Sequence, residues 1–136
     1  MHTTAYQDHI ATLRARMDSA LERAGFDHVL IANGAHWRRD GVAHHHTLPM
    51  PIDLGAEILT PDDLMAGKRP RGKSVMLYDD DHYYMGGVLA ELLQKNGCQV
   101  TLVTPATEIS NWSRNTMEQF KIQARLLDIG VTLVTG

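Results

Sequence analysis

The feature that most constrains this chain is a pattern that occurs twice. Leu92-Leu93 is followed by Gly97 and then by Val100-Thr101-Leu102-Val103-Thr104; Leu126-Leu127 is followed by Gly130 and then by Val131-Thr132-Leu133-Val134-Thr135. Each copy is the end of an apolar helical stripe, a helix-stopping glycine and a short β-branched run. That order is the grammar of right-handed βαβ crossovers, and so of a parallel sheet. Ser74-Val75-Met76-Leu77-Tyr78 supplies a strand ahead of the first copy, and Met85, Val88, Leu89, Leu92 and Leu93 form the stripe of the helix that follows it. Asn115-x-x-Glu118 resembles a capping box for the second helix, whose core-facing residues are read as Met117, Phe120, Ala124 and Leu127. The expected fold class is α/β: a Rossmann-like three-layer α/β/α arrangement with a small, mostly parallel sheet.

Upstream, Tyr6, Ile10, Leu13, Met17, Leu21 and Ala24 form one stripe of an amphipathic helix that Gly25 ends. His28-Val29-Leu30-Ile31-Ala32 reads as a short buried strand, turned outward by Asn33-Gly34. Residues 35–72 are polar and irregular and hold Pro49, Pro51, Pro61 and Pro70, with a brief helix expected at Pro61–Ala66 behind a Thr60 N-cap. A connection of that length is unusual inside one compact domain, which suggests a linker. The expected division is residues 1–34 as helix plus strand, 35–72 as connection and 73–136 as a βαβαβ unit. The run ends on a strand with no closing helix, as expected of a piece of something larger.

Composition removes several classes of function. The chain has 136 residues, 43% hydrophobic and 21% charged, which is enough apolar material for a core and argues against disorder. One cysteine, Cys98, excludes a disulfide scaffold and a cysteine-ligated cluster or zinc ribbon built from this chain. A formal net charge of −3 gives no overall basic surface for nucleic acid. No apolar run approaches the roughly 20 residues of a membrane span, and Met1-His2-Thr3-Thr4 lacks a signal-peptide pattern. A cytoplasmic location, without nucleic acid or membrane partners, is the expectation.

Ligands of parallel sheets bind outside the carboxyl ends of the strands. This directs attention to Asn33-Gly34, to Asp79–Tyr84 and to Thr104–Thr107. In a dinucleotide-binding fold the turn after the first strand carries G-x-G-x-x-G, so that backbone amides can approach a pyrophosphate. Here the turn reads Asp79-Asp80-Asp81-His82-Tyr83-Tyr84, and glycines come only at Gly86-Gly87. Like charges about 4 Å apart repel by roughly 1 kcal/mol in bulk water and several-fold more near a protein surface. NAD(P) is therefore not expected here in the usual way. The plainer reading is that Asp79–Asp81 cap the helix spanning residues 84–96. Consecutive acids after an apolar strand also open Mg²⁺-dependent receiver domains, but the Val131–Thr135 run ends in Thr135-Gly136 without the phosphoacceptor acid that reading needs.

Other residues have two readings each. His44-His45-His46 could bind a metal, but adjacent residues rarely converge on one ion, and a solvated loop is the expectation. His82 is read as a capping or packing residue rather than a general base. Arg38 and Arg39 could reach a phosphate or a neighbouring domain, or stay exposed. Tyr83 and Tyr84 beside Trp37 could line an adenine slot, with one tyrosine in the core. Trp112 is read as a packing anchor, and Cys98 as an inert, partly buried thiol.

Two stretches carry a family resemblance. Asp27-His28-Val29-Leu30-Ile31-Ala32-Asn33-Gly34 resembles the strand plus A-T-G motif that closes the FAD-type domain of flavin and pyridine-nucleotide oxidoreductases, with Asn33 in place of the threonine. Asp40-Gly41, Leu59-Thr60-Pro61-Asp62-Asp63-Leu64-Met65-Ala66-Gly67-Lys68, Gly72–Tyr78, Asp81-His82-Tyr83-Tyr84-Met85 and Asn111–Gln119 resemble the trimethylamine dehydrogenase branch, related to 2,4-dienoyl-CoA reductase. The resemblance covers about residues 26–136. It implies a parent enzyme with an N-terminal barrel holding FMN, a four-cysteine [4Fe–4S] site, and FAD-like and NAD(P)-like domains. Residues 1–34 then belong to the FAD-like domain and 73–136 to the NAD(P)-like one. By that resemblance Ala32, Asn33, Gly34, Asp79, Asp81 and Tyr83 are the cofactor-site positions, and no catalytic or metal-binding residue is assigned. An ADP or FAD-type nucleotide is the ligand class, and the partners are the rest of the oxidoreductase and an electron-transfer flavoprotein. The alternative is a non-catalytic interdomain or electron-partner docking scaffold.

Overall fold

A computed structural model describes residues 3–26, 28 and 34–136 of the chain. It divides into two compact units, Met1–Ala35 and His36–Gly136. In the first, α1 spans Thr3–Ala24 and ends at Gly25, whose φ of 65° is the left-handed conformation that glycine adopts at a helix C-terminus without a Cβ penalty. Leu13 and Met17 are exposed on it. The strand expected at His28–Ala32 lies, apart from His28, outside the described residues, as do Ala32 and Asn33.

In the second unit, a short helix α2 (Pro61–Met65) follows residues 36–60. Its start is a reciprocal cap: the Thr60 hydroxyl accepts from Asp63 N, and the Asp63 carboxylate accepts from Thr60 N at 3.0 Å. Asp63 is buried, and Arg39 (2.5 Å) and Lys68 (2.6 Å) both pair with it. The Arg39 guanidinium, then Lys68, hold the Asp63 carboxyl well below the usual carboxylate range. Arg71 pairs with Glu57 at 2.9 Å. Residues 36–72 are therefore held by ion pairs and form one unit with the sheet.

The sheet consists of β1 (Ser74–Tyr78), β2 (Gln99–Thr104) and β3 (Thr132–Thr135), all parallel, in the order β1-β2-β3. Leu77 aligns with Leu102 and Leu102 with Leu133. Between the strands run α3 (Met85–Lys95) and α4 (Gln119–Asp128), which touch each other and so share one face of the sheet. The core is Leu89, Ala90, Leu93, Val100, Leu102, Ile109, Leu126 and Val131, with Leu64 from α2. On the other face Met76 is 72% exposed. This small open parallel sheet with helices is the α/β class expected and is consistent with a three-layer α/β fold.

The structure corrects two local expectations. Asn115 and Glu118 form no capping box. A 3-10 segment runs from Asn111 to Thr116, Met117 ends it at φ 60°, and α4 starts at Gln119 with no side-chain cap from Glu118. The Glu118 carboxylate instead accepts the Tyr84 hydroxyl. The second correction is the phase of α4. Met117 (77%), Phe120 (63%) and Leu127 (55%) are exposed, whereas Leu126 is buried and Ile122 and Ile129 pack on the core. Two apolar stripes lie on this helix, and Gly87 on α3 selects the second: its Cα lies so near that a Cβ there would stand 3.1 Å from Ile122. Helices approach closely where one surface has no side chain, and Ile122 and Leu126 fill that groove.

Candidate functional site

The chemistry-bearing residues gather at the carboxyl end of β1. Asp79 prolongs the ladder by donating its N–H to the Val103 carbonyl at 2.8 Å, so its side chain is fixed at the sheet's end. Asp79 Oδ1 accepts from Asp81 N (3.1 Å) and His82 N (3.4 Å), closing a tight turn. Asp79 Oδ2 is buried with no hydrogen-bond partner. It lies directly beneath α3, where a Cβ on Gly86 would stand 2.6 Å from it. Burial raises the Asp79 pKa, against the pull of the two N–H groups. The three acids were expected to cap α3. Among the described residues none of them accepts a hydrogen bond from the helix's first turn, and Tyr84, whose side chain makes no capping bond, is the N-cap.

Asp80 faces the other way, toward residues the sequence reading kept apart. Its Oδ1 lies 2.5 Å from His45 Nδ1 and 2.8 Å from His82 Nε2, and its Oδ2 accepts from His45 N at 2.7 Å. The two ring nitrogens are 3.1 Å apart. His82 is 2% exposed and has a φ of 59°, an uncommon conformation for a residue with a side chain. Its second nitrogen, Nδ1, is 3.3 Å from Thr104 Oγ1 at the end of β2. Burial acts to raise the Asp80 pKa, but hydrogen bonds from the His45 amide and the two imidazoles outweigh it and leave the carboxyl below its usual value. The main-chain N–H of Trp112 donates to the His82 carbonyl at 2.9 Å, and the Trp112 indole is tilted against the His82 ring with centroids 6.2 Å apart. His45, His82 and Trp112 together occupy the region outside the ends of β1 and β2. Trp112 is half exposed, and the buried His82 ring is held by polar partners rather than by apolar packing. The spacing that hid it is length: His45 meets Asp80 35 residues away, a juxtaposition that local periodicity does not report.

The other candidates distribute around this point. Asp81 is exposed and lines a cleft of about 540 Å³ that runs beside β1, between Trp37, Ile58, Leu59 and Leu64 on one side and Met85 and Gly86 on the other. Tyr83 and Tyr84 are not in the wall of that cleft; their rings pack together with centroids 4.2 Å apart, so they do not form a slot with Trp37. Arg38 pairs with Asp40 at 2.5 Å, and Arg39 is committed to Asp63 and the Ile58 carbonyl, which leaves neither free in the loop. The side chains of Asp79, Asp80 and Asp81 do not converge as a receiver-type Mg²⁺ site would require; among the described residues the convergent group is His45, Asp80 and His82. Gly34 has a φ of 86°, a turn conformation suited to glycine. Cys98 is partly buried.

The model of the OYE-like second alpha/beta domain matches residues 59–135, more than half of the chain. Dimethylamine dehydrogenase of Hyphomicrobium sp. (strain x) is 32% identical over 115 residues, covering 81% of this chain and 15% of that protein. Among solved structures, histamine dehydrogenase from Rhizobium sp. 4-9 superposes with a TM-score of 0.74 and 55% identity over 82% of this chain and 18% of its own. The 6-hydroxypseudooxynicotine amine oxidase of Pseudomonas geniculata N1 does so with a TM-score of 0.72 and 43% identity, over 81% and 16%. The chain thus spans less than a fifth of the length of these relatives. It belongs to the trimethylamine dehydrogenase-like family of flavin oxidoreductases, and its residues 59–135 match the OYE-like second alpha/beta domain.

Proposed function

We propose that this chain is the nucleotide-binding-type module of an amine dehydrogenase-like or enoyl reductase-like, FMN- and iron–sulfur-dependent oxidoreductase, and that its NAD(P)-like half has given up the dinucleotide. The observation that carries this reading is Asp79. A pyrophosphate held by the amides of α3 would have to lie where a buried carboxylate already stands against Gly86, with one oxygen unpartnered. Phosphate and carboxylate repel at that range, and burial strengthens the repulsion. The imidazoles of His45 and His82 take up the adjoining space.

The [4Fe–4S] cluster implied by the family does not fit the residues present: one cysteine, Cys98, cannot supply a four-cysteine ligand set, and the family places FMN in a barrel, whereas the described sheet has three strands. Redox chemistry then belongs to the rest of the parent enzyme, the module's first partner. By the family resemblance we assign an ADP or FAD-type nucleotide to Ala32-Asn33-Gly34; Asp79, Asp81 and Tyr83 are, separately, the degenerate positions of the NAD(P)-like half. A cytoplasmic location fits this reading, and among the described residues no helix is long and apolar enough to cross a membrane.

A second reading, a docking scaffold for a neighbouring domain or an electron-transfer flavoprotein, is favoured by exposed Phe120 and Leu127 on α4, with Met117 just before it. Thermal unfolding with ADP, FAD, NADH and NADPH, each added separately, tests the proposal. A ligand at 100 times its Kd stabilises by about 2.7 kcal/mol, a readily measured shift. The expected result is a shift with ADP or FAD and none with NADH or NADPH. A saturable shift with either reduced pyridine nucleotide overturns the reading of the Asp79 loop, and silence toward all four favours the scaffold.

A further inference from the structure

We propose that His45, Asp80 and His82 form a binding site for one divalent transition-metal ion of the zinc type, which staples residues 36–72 to the carboxyl end of the sheet. The inference does not rest on the nucleotide reading above. Three donors of the kind zinc prefers, two imidazole nitrogens and a carboxylate oxygen, point at one place from two separate segments. Their mutual distances are 2.5, 2.8 and 3.1 Å. A tetrahedral ion with bonds of about 2.0–2.1 Å sets its donors about 3.3 Å apart, so binding asks for an outward movement of under about 1 Å. His45, which is 47% exposed, makes most of it, and the buried Asp80–His82 pair opens from 2.8 Å by about 0.5 Å.

The surroundings are those of a ligand set with its orientation already arranged. A metal-bound imidazole must be neutral, with its other nitrogen carrying the proton. In the metal-free chain His82 Nε2 donates to the Asp80 carboxylate at 2.8 Å; an ion takes the place of that proton, and Nδ1, 3.3 Å from Thr104 Oγ1, then carries the ring proton and donates it to the hydroxyl. The His45 amide holds Asp80 Oδ2 at 2.7 Å, which turns Oδ1 toward the two rings. His82 keeps this place in a left-handed backbone conformation, at a cost that a merely space-filling side chain would not require. Three protein ligands leave a fourth position for solvent.

The test is titration of the metal-stripped full chain with Co²⁺, followed through its visible absorption, and displacement by Zn²⁺. The proposal predicts saturation at one ion per chain and a rise in the unfolding temperature with Zn²⁺. His45→Ala abolishes both and His82→Asn does the same, whereas His44→Ala and His46→Ala leave both intact. Thr104→Val weakens affinity by about 10–100-fold. Should His82→Asn fail to fold, the half-exposed His45 still decides the matter. Absence of saturable uptake at micromolar metal overturns the proposal and leaves a hydrogen-bonded cluster. So does uptake that survives His45→Ala, or that is lost in His46→Ala instead.

Discussion

Asp79 and Gly86 are matched in shape: the carboxylate occupies the space a Cβ at residue 86 would need, with both Asp79 Oδ2 and Cγ 2.6 Å from that position. The relationship links the sequence of the turn to the packing of α3 on β1, and through it to what the turn can bind.

Gly86→Ala tests that match. In a helix the change ordinarily gains up to about 1 kcal/mol. Here overlap with a carboxylate fixed by two N–H groups dominates, and a net loss of about 1–3 kcal/mol is expected. Adding Asp79→Ala to the same chain should recover most of it. Urea denaturation of the wild type, both single variants and the double gives the coupling; additive effects would contradict the match.

Adjacent aspartates should contribute to stability with opposite dependence on pH. Burial raises the folded-state pKa of Asp79. Its stabilising contribution is therefore complete below the unfolded value of about 3.9 and is lost as pH rises through the folded one. For Asp80, burial raises the pKa but the His45 and His82 hydrogen bonds lower it further, so its contribution is present above about 3.9 and is lost as pH falls through the lowered value. Asp79→Asn should gain on the wild type as pH rises from 3 to 8, by roughly the range in which a raised carboxyl ionises, and Asp80→Asn should lose on it. Parallel curves for the two variants would refute the assignment of environments.

On α4 the expected ranking of substitutions separates the two stripes. Leu126→Ala removes a fully buried side chain and should cost about 2–5 kcal/mol. Phe120→Ser and Leu127→Ser alter exposed positions and should stay within about 0.5 kcal/mol. Chemical denaturation of the three variants measures this, and a costly Phe120→Ser would restore the stripe read from the sequence.

What could be read in the sequence follows from the range of the interactions. The three strands, the Thr60 cap and the stops at Gly97 and Gly130 are set by neighbours a few residues away, and they stand where expected. The absence of a phosphate-binding glycine turn was visible for the same reason. The phase of α4 was not, because two apolar stripes compete and the decision lies with Gly87 on another helix. Residues 36–72 read as loose polar chain because their partners, Asp63 for Arg39 and Asp80 for His45, are distant in sequence. The same distance hid the convergence of His45 with His82.

The most direct measurement is a crystal of this chain soaked in NADH. The account predicts that the turn at residues 79–84 keeps its conformation, with Asp79 against Gly86 and no dinucleotide over the N-terminus of α3. Ordered pyrophosphate seated on the Met85–Gly87 amides, with Asp79 turned away, would contradict it.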